Sequence, residues 1–293
     1  MTNESYLCRD CPRSCGVPRG RGFCRSGETL RVARAAPHFG EEPCISGTRG
    51  SGAVFFSGCN LRCVFCQNHA ISSGGFGADV TGEKLRDILL RLRDQGVHNI
   101  NLVTGSHCVR QIAAALDGLE LGIPVVWNSA GYDSPESLRR LEGLVQVYMP
   151  DLKYRSSLLA AKYSAAPDYP ETAARAIEEM LRQTGPFRLD GDGLLVRGVL
   201  IRHLILPGEL ENSFDVIDFV AQRWPGDQVL FSLMSQFTPN GNCPPELRRT
   251  LTEEEYERCR SYLELSGIEN GYFQELSSAC AEMIPDFDLT GVL

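Results

Sequence analysis

The run Gly58-Cys59-Asn60-Leu61-Arg62-Cys63-Val64-Phe65-Cys66-Gln67-Asn68 follows directly on the apolar segment Ala53-Val54-Phe55-Phe56. That pairing restricts the fold more than any other feature, because a strand has to end in an irregular loop that turns three thiolates inward. Spacings of three and two residues let such a loop wrap one face of a cube. Gly58 frees the backbone at the strand exit, where a positive φ is needed. Three thiolates hold three corners of a four-iron cluster and leave one iron open to bind and reduce a small molecule. The competing readings are a structural zinc site and three ordinary buried thiols. Zinc sites are normally closed by four ligands, often as paired C-x2-C knuckles, and free cysteine packs as a small hydrophobe. The preceding strand and the aromatic at Phe65 favour the cluster.

From Gly52 onward apolar and amphipathic stretches alternate. Strand-like runs occur at 53–57, 99–104, 124–129, 145–153, 196–206 and 228–237. Between them lie helical patterns at 81–95, 109–119, 135–142, 170–183, 209–223 and 252–265. Leu85, Ile88, Leu89 and Leu92 recur at helix spacing, as do Ala173, Ile177, Met180 and Leu181. Ser134-Pro135 is a cap and first-turn pair, and Glu253-Glu254-Glu255 after Thr252 suits a helix start. Strands alternating with helices predict an α/β fold, a partial (β/α)6 barrel of parallel strands with a small Cys-rich N-terminal lobe. The expected division is a lobe at 1–50, a barrel at 51–270 and a tail at 271–293 packing on it. The site belongs at the carboxyl ends of the strands, where Cys59 to Cys66 follow the first of them.

Cys59, Cys63, Phe65 and Cys66 match the signature of radical S-adenosylmethionine enzymes. The surrounding Phe55-Phe56-Ser57-Gly58 and Cys66-Gln67-Asn68 resemble pyruvate formate-lyase activating enzymes and their relatives. The N-terminal Cys8-Arg9-Asp10-Cys11-Pro12-Arg13-Ser14-Cys15-Gly16 is similar to those relatives and not to the best-known activating enzymes. The resemblance implies a [4Fe-4S] cluster on Cys59, Cys63 and Cys66, with S-adenosyl-L-methionine chelating the open iron. It implies reductive cleavage to a 5′-deoxyadenosyl radical and hydrogen abstraction, with an electron from flavodoxin or ferredoxin. The first target it suggests is a glycyl radical enzyme in an anaerobic cytoplasm; the alternative is a peptide or small metabolite. A non-catalytic zinc scaffold is the reading from a different class.

Strand ends are where polar partners for such a cofactor belong. Phe65 and Asn68 stand in the cysteine loop itself. Val103-Thr104-Gly105-Ser106-His107 lies where the resembling enzymes carry Gly-Gly-Glu for the methionyl ammonium. Gly105 keeps the close backbone approach, but the acid is missing, leaving Ser106 or His107 to replace it. Asn128 and Ser129 end the third run, with a neutral Asn where relatives often place a cation-binding Asp. Asp151-Leu152-Lys153 equals the family element whose Asp and Lys face cofactor or substrate, so these two are the catalytic candidates. A buried carboxylate–ammonium pair is costly without further partners, and the plain alternative is a strand-end salt bridge. Arg202 and His203 must point to opposite faces of their strand, and Arg202 can pair a cofactor carboxylate. Ser235 and Gln236 end the last run.

Cys8, Cys11, Cys15 and Cys24 supply four thiolates at C-x2-C-x3-C-x8-C spacing. Four ligands close a site, so zinc or an auxiliary cluster is expected there. Twelve cysteines read as metal or redox chemistry in a reducing compartment rather than a disulfide framework. Cys44, Cys108, Cys243, Cys259 and Cys280 are scattered. Met1 to Tyr6 carry no basic patch and no apolar run, so no secretory signal is expected. A net charge of −8 argues against nucleic acid, and no long uncharged apolar run suggests a membrane span.

Overall fold

The computed structural model describes residues 6–278 and 285–293; Cys280 lies outside the described residues. Among the described residues ten strands form one sheet: β1 (Leu30–His38), β2 (Ser51–Phe56), β3 (Ala78–Val80), β4 (Ile100–Val103), β5 (Val125–Ser129), β6 (Val147–Pro150), β7 (Arg188–Leu189), β8 (Leu195–Leu204), β9 (Leu230–Met234) and β10 (Gly271–Phe273). Their lateral order is β10-β9-β8-β6-β5-β4-β2-β1-β3, with β7 paired to β8. From β2 to β10 along that path every pairing is parallel. The path ends at β3 on one side and β10 on the other, so the barrel stays open.

The six apolar runs of the sequence become β2, β4, β5, β6, β8 and β9. Two elements extend this plan. β10 adds a seventh parallel strand, too short at three residues to show a pattern. β1, from the Cys-rich segment, pairs antiparallel with β2 from Val32↔Phe56 to His38↔Ser51. Strands β2, β4, β5 and β6 are buried at every residue, as a parallel sheet covered on both faces requires.

The outer face packs on helices whose caps the sequence announces. Helix Gly82–Asp94 buries Leu85, Ile88, Leu89 and Leu92, and Thr81 accepts the Lys84 N–H at its start. Ser134 caps Pro135–Leu138, and Thr252 with Glu255 forms a capping box on Glu253–Leu265. The inner face is filled from the chain's own N-terminal part. Cys44 and Ile45, on the short helix Pro43–Ser46, pack against Val126, Val147, Met149, Leu200 and Leu230. This plug places Glu41 and Glu42 just before it in the chain.

A helix at Ser157–Ser164 escapes the sequence pattern because its apolar residues do not share a face. Leu158 is exposed while Ala160, Tyr163 and Ser164 are buried. Residues 285–293 lie along β1, where Leu289 N–H donates to Ala33 O at 3.0 Å and Ala35 N–H to Thr290 O at 2.9 Å. Among the described residues no helix is long and apolar enough to cross a membrane.

Candidate functional site

The cysteine loop leaves β2 through Gly58, whose φ is 90°. A Cβ there would stand 2.5 Å from Ser26 Oγ and 3.1 Å from Cys24 O, so only glycine meets both demands. Each sulfur of the triad then finds a donor. Leu61 and Arg62 N–H groups donate to Cys59 Sγ at 3.3 and 3.5 Å. Ser164 Oγ donates to Cys63 Sγ at 3.0 Å, and Ser72 Oγ to Cys66 Sγ at 3.4 Å. Burial pushes the Cys59 thiol up to about 12, with Cys63 and Cys66 adding to the shift, and lifts Cys66 as well. Thiolates at these positions therefore need a cationic centre. Phe65 packs against Tyr163 and Phe237 with ring centroids 6.3 and 6.1 Å away.

Cys59, Cys63 and Cys66 face a cavity of about 1210 Å³, counting its open mouth, at the carboxyl ends of the parallel strands. Phe65, Asn68, Asn128 and Ser129 line it, together with Asp151, Lys153, Arg202 and Gln236. Ser129 Oγ also donates to Asp133 Oδ2 at 2.6 Å. Gln236 is fixed by Gln67, whose Nε2 donates to its carbonyl at 3.0 Å. Ser235 is turned away, with Oγ bound to the carbonyls of Gln274 and Glu275.

One wall is a charged network. Lys153 Nζ lies 2.5 Å from Asp151 Oδ2, and Arg202 donates to Asp151 Oδ1 at 3.1 Å. Arg202 reaches Asn128 Oδ1 at 2.8 Å and Glu41 Oε2 at 2.9 Å. Glu41 Oε1 accepts from Asn101 at 3.0 Å and Asn128 at 3.2 Å. Burial alone would raise the Asp151 carboxyl, but Lys153 and Arg202 outweigh it and hold it below its ordinary range. Burial opposes the Lys153 ammonium, and Asp151 with the nearby thiols more than compensates, so its pKa stands above normal. Glu42, fully buried behind them, is shifted upward by burial, with Arg202 opposing. His203 points the other way: Nδ1–H donates to Leu152 O at 2.7 Å, and Nε2 accepts from Ser213 Oγ at 2.9 Å. Burial lowers that ring to about 4.

Two expected cofactor residues do not line this cavity. Gly105 has φ −82°, and a Cβ on it would press into the Trp127 ring at 2.6 Å, so it serves close packing. Thr104 takes the positive φ of 63° instead, an uncommon state for a β-branched residue, and it lines the cavity. Ser106 is buried beside the Asp133 carboxylate. His107 faces a different cavity altogether. The residue that sequence reasoning missed is Glu41, which brings a carboxylate to the cavity from the N-terminal segment. The only local signal was a paired acid, Glu41-Glu42, before Pro43 in an Arg-rich stretch.

Cys8, Cys11, Cys15 and Cys24 line that second cavity, of about 360 Å³ counting its open mouth. Burial pushes the Cys11 thiol up to about 12. Arg13 fastens the lobe to the barrel, with Nε donating to Asn60 O at 2.8 Å and a terminal nitrogen to Ser164 O at 2.9 Å. Its guanidinium also lies 3.9 Å from the Phe23 ring centroid.

With this geometry in hand, similarity to known proteins is informative. The model of the Radical SAM superfamily matches residues 53–220. Uncharacterized protein MJ0674 of Methanocaldococcus jannaschii is 30% identical over 267 residues, covering 86% of this chain and 72% of its own. Streptococcus suis SuiB bound to S-adenosylmethionine superposes with a TM-score of 0.51 at 15% identity, covering 76% of this chain and 50% of SuiB. SuiB bound to precursor peptide SuiA gives 0.51 at 16% identity, covering 77% and 49%. The chain thus spans about half the length of SuiB, and that likeness is one of fold.

Proposed function

The chain belongs to the radical SAM superfamily, and from that premise we propose that it cleaves S-adenosylmethionine reductively at a [4Fe-4S] cluster and abstracts hydrogen from a glycine of a partner protein. The observation that carries this reading is the single cavity onto which the three thiols, Asp151, Lys153, Asn128 and Arg202 all face. The donor set fits a cluster: each sulfur already accepts a hydrogen bond suited to thiolate, and burial makes an uncompensated thiolate costly. When bound, the cluster supplies one electron to S-adenosylmethionine at its open iron, which starts radical chemistry on the substrate.

The chain's own residues position and exclude. Cys59, Cys63 and Cys66 hold the cluster, while Phe65, wedged between Tyr163 and Phe237, keeps water from the loop. Burial opposes the Lys153 ammonium, but Asp151 and the nearby thiols favour the charged form, so it can orient a carboxylate or carbonyl. Arg202, clamped by Asp151, Glu41 and Asn128, offers a fixed positive charge to the methionyl carboxylate. Asn68, Ser129 and Gln236 give polar contacts around the mouth. The electron comes from a flavodoxin or ferredoxin in an oxygen-poor cytoplasm. The lobe thiols hold zinc or an auxiliary cluster.

One observation favours a second substrate class. The wall pairs Asp151 and Glu41 with Lys153 and Arg202, a balanced set that suits the ends of a zwitterionic peptide or small metabolite. Oxygen-free protein given a reductant and S-adenosylmethionine should release 5′-deoxyadenosine, and Cys63→Ala should stop it. A glycyl radical signal in paramagnetic resonance with a candidate partner supports the first target. Its absence, with deuterium from a labelled peptide or metabolite appearing in 5′-deoxyadenosine, supports the second.

A further inference from the structure

The lobe holds charge that neither cysteine cavity uses. Residues 7–27 contain five arginines and one acid, Asp10, in a chain of net charge −8. Two of the five serve the sulfurs: Arg13 and Arg19 line the lobe cavity, and Arg19 pairs with Asp10 at 2.9 Å, both side chains buried. Arg9, Arg21 and Arg25 are exposed and line neither cysteine cavity. Arg62 of the triad loop lines neither as well. Its guanidinium lies 5.6 Å from the Phe23 ring centroid and donates to Phe23 O at 3.4 Å. Arg21 and Arg25 bracket that same Phe23, on a turn closed by Arg25 N–H donating to Gly22 O at 3.0 Å. Among the described residues Arg9, Arg21, Arg25 and Arg62 pair with no carboxylate.

Two of these arginines sit where the backbone disfavours them. Arg25 and Arg62 adopt φ of 57° and 54°, a state that strains any residue with a Cβ and that glycine takes freely. A position needed only for its turn suits glycine or asparagine. Unpaired arginines on strained backbone point to a group outside the chain that uses their charge. S-adenosylmethionine and substrate reach the triad through its cavity, which leaves the outer side of the loop to the source of the electron. Arg62 stands between Cys59 and Cys63 in the chain, and Arg13 ties the lobe to Asn60 O and Ser164 O beside them. We propose that Arg21, Arg25 and Arg62 form the docking surface for a small acidic one-electron carrier protein. The carrier is oxidised by one electron, which passes to the triad's centre. A weak, charge-steered encounter suits a partner that leaves after each electron. The proposal rests on the reductive reading above, adds where the reductant binds, and holds whichever metal the lobe thiols take.

The test reads binding first and turnover second. An acidic flavodoxin and an acidic ferredoxin are each titrated calorimetrically into full-length protein at low salt. Arg21→Glu with Arg25→Glu should weaken binding at least about tenfold, and the difference should close near about 0.5 M salt. Arg62→Gln should weaken it by a smaller factor. Release of 5′-deoxyadenosine driven by the carrier should fall with binding in the double variant, while release driven by dithionite should not change. Unaltered binding in the double variant, or no binding of either carrier to unmutated protein, overturns the proposal. So does a short RNA duplex that the unmutated protein binds, the double variant does not, and neither carrier displaces. Arg25→Gly separates charge from fold: carrier binding should weaken with no drop in the unfolding midpoint. A lowered midpoint with binding intact would make Arg25 a structural residue and remove it from the surface. Should the double reversal not fold, Arg21→Gln with Arg25→Gly is read in the same way. Carrier binding that follows these charges, in unmutated protein that releases no 5′-deoxyadenosine even with dithionite, supports the surface and counts against the proposed reaction alone.

Discussion

The two cysteine cavities use one residue type and differ in nearly everything else. The triad cavity is wide and open, and its polar wall is satisfied internally, with Asp151, Arg202, Asn128 and Glu41 bonded to one another. The lobe cavity is smaller, and among the described residues its Ser26 Oγ and His107 Nδ1 have no partner, as is true of the Glu42 carboxylate behind the charged wall. The triad loop also grows from a strand of the parallel sheet, whereas the lobe is tied down largely by Arg13 and Arg19 side chains. The lesson is one of ligand count: three thiolates at a strand mouth leave room for a small molecule, and four in a closed loop do not.

The sharpest way to break this comparison is to remove one sulfur from each side. Cys63→Ala should reduce 5′-deoxyadenosine release to background while the lobe keeps its metal. Cys11→Ala should strip the lobe and leave the triad's iron, read by metal analysis. Retained cleavage in Cys63→Ala would mean the wrong thiols have been assigned.

The next effect concerns the charged wall of the triad cavity. Asp151→Ala leaves Lys153 and Arg202 without their shared partner and should cost about 3–5 kcal/mol in denaturant unfolding. A cost below about 1 kcal/mol would equate the pair with a solvent-exposed one. Glu41→Gln weakens one charge-assisted bond to Arg202 and should cost about 1.5–3 kcal/mol.

Acid titration probes the wall behind Arg202. The folded His203 ring titrates near 4, below its ordinary 6.5, so the unfolded chain takes the proton first as pH falls. Its contribution is complete above about pH 6.5 and is lost between there and pH 4, amounting to about 3 kcal/mol. Asp151, also held low, loses its contribution only below about pH 4. His203→Gln should flatten the upper part of the stability–pH curve; an unchanged slope would show that His203 is not buried neutral. The smallest effect is a control: Thr81→Ala removes a helix cap remote in sequence from both loops, costing about 1 kcal/mol. Iron content should not change, and a loss of iron would mean that global stability governs loading.

Much of the plan was legible because it is local. Apolar runs marked six parallel strands, and cysteine spacing marked the loop that leaves β2. Strand alternation correctly separated Arg202 from His203. What escaped depends on contacts far apart in the chain. Nothing near Glu41 announces that Pro43–Ser46 threads into the barrel and carries the carboxylate to Arg202 across 161 positions. The family resemblance makes Gly105 the position of close backbone approach, but Trp127 packing claims it and Thr104 takes the positive φ. Ser157–Ser164 lacked an apolar stripe, yet it carries the hydroxyl that donates to Cys63.

The central claim is that the triad leaves an iron free for S-adenosylmethionine while the lobe leaves none. Paramagnetic resonance of reduced, oxygen-free protein titrated with S-adenosylmethionine tests it most directly. One cluster's signal should change shape on addition, and that change should vanish in Cys63→Ala but persist in Cys11→Ala. A spectrum indifferent to S-adenosylmethionine, in protein whose triad carries a full complement of iron, would contradict the account.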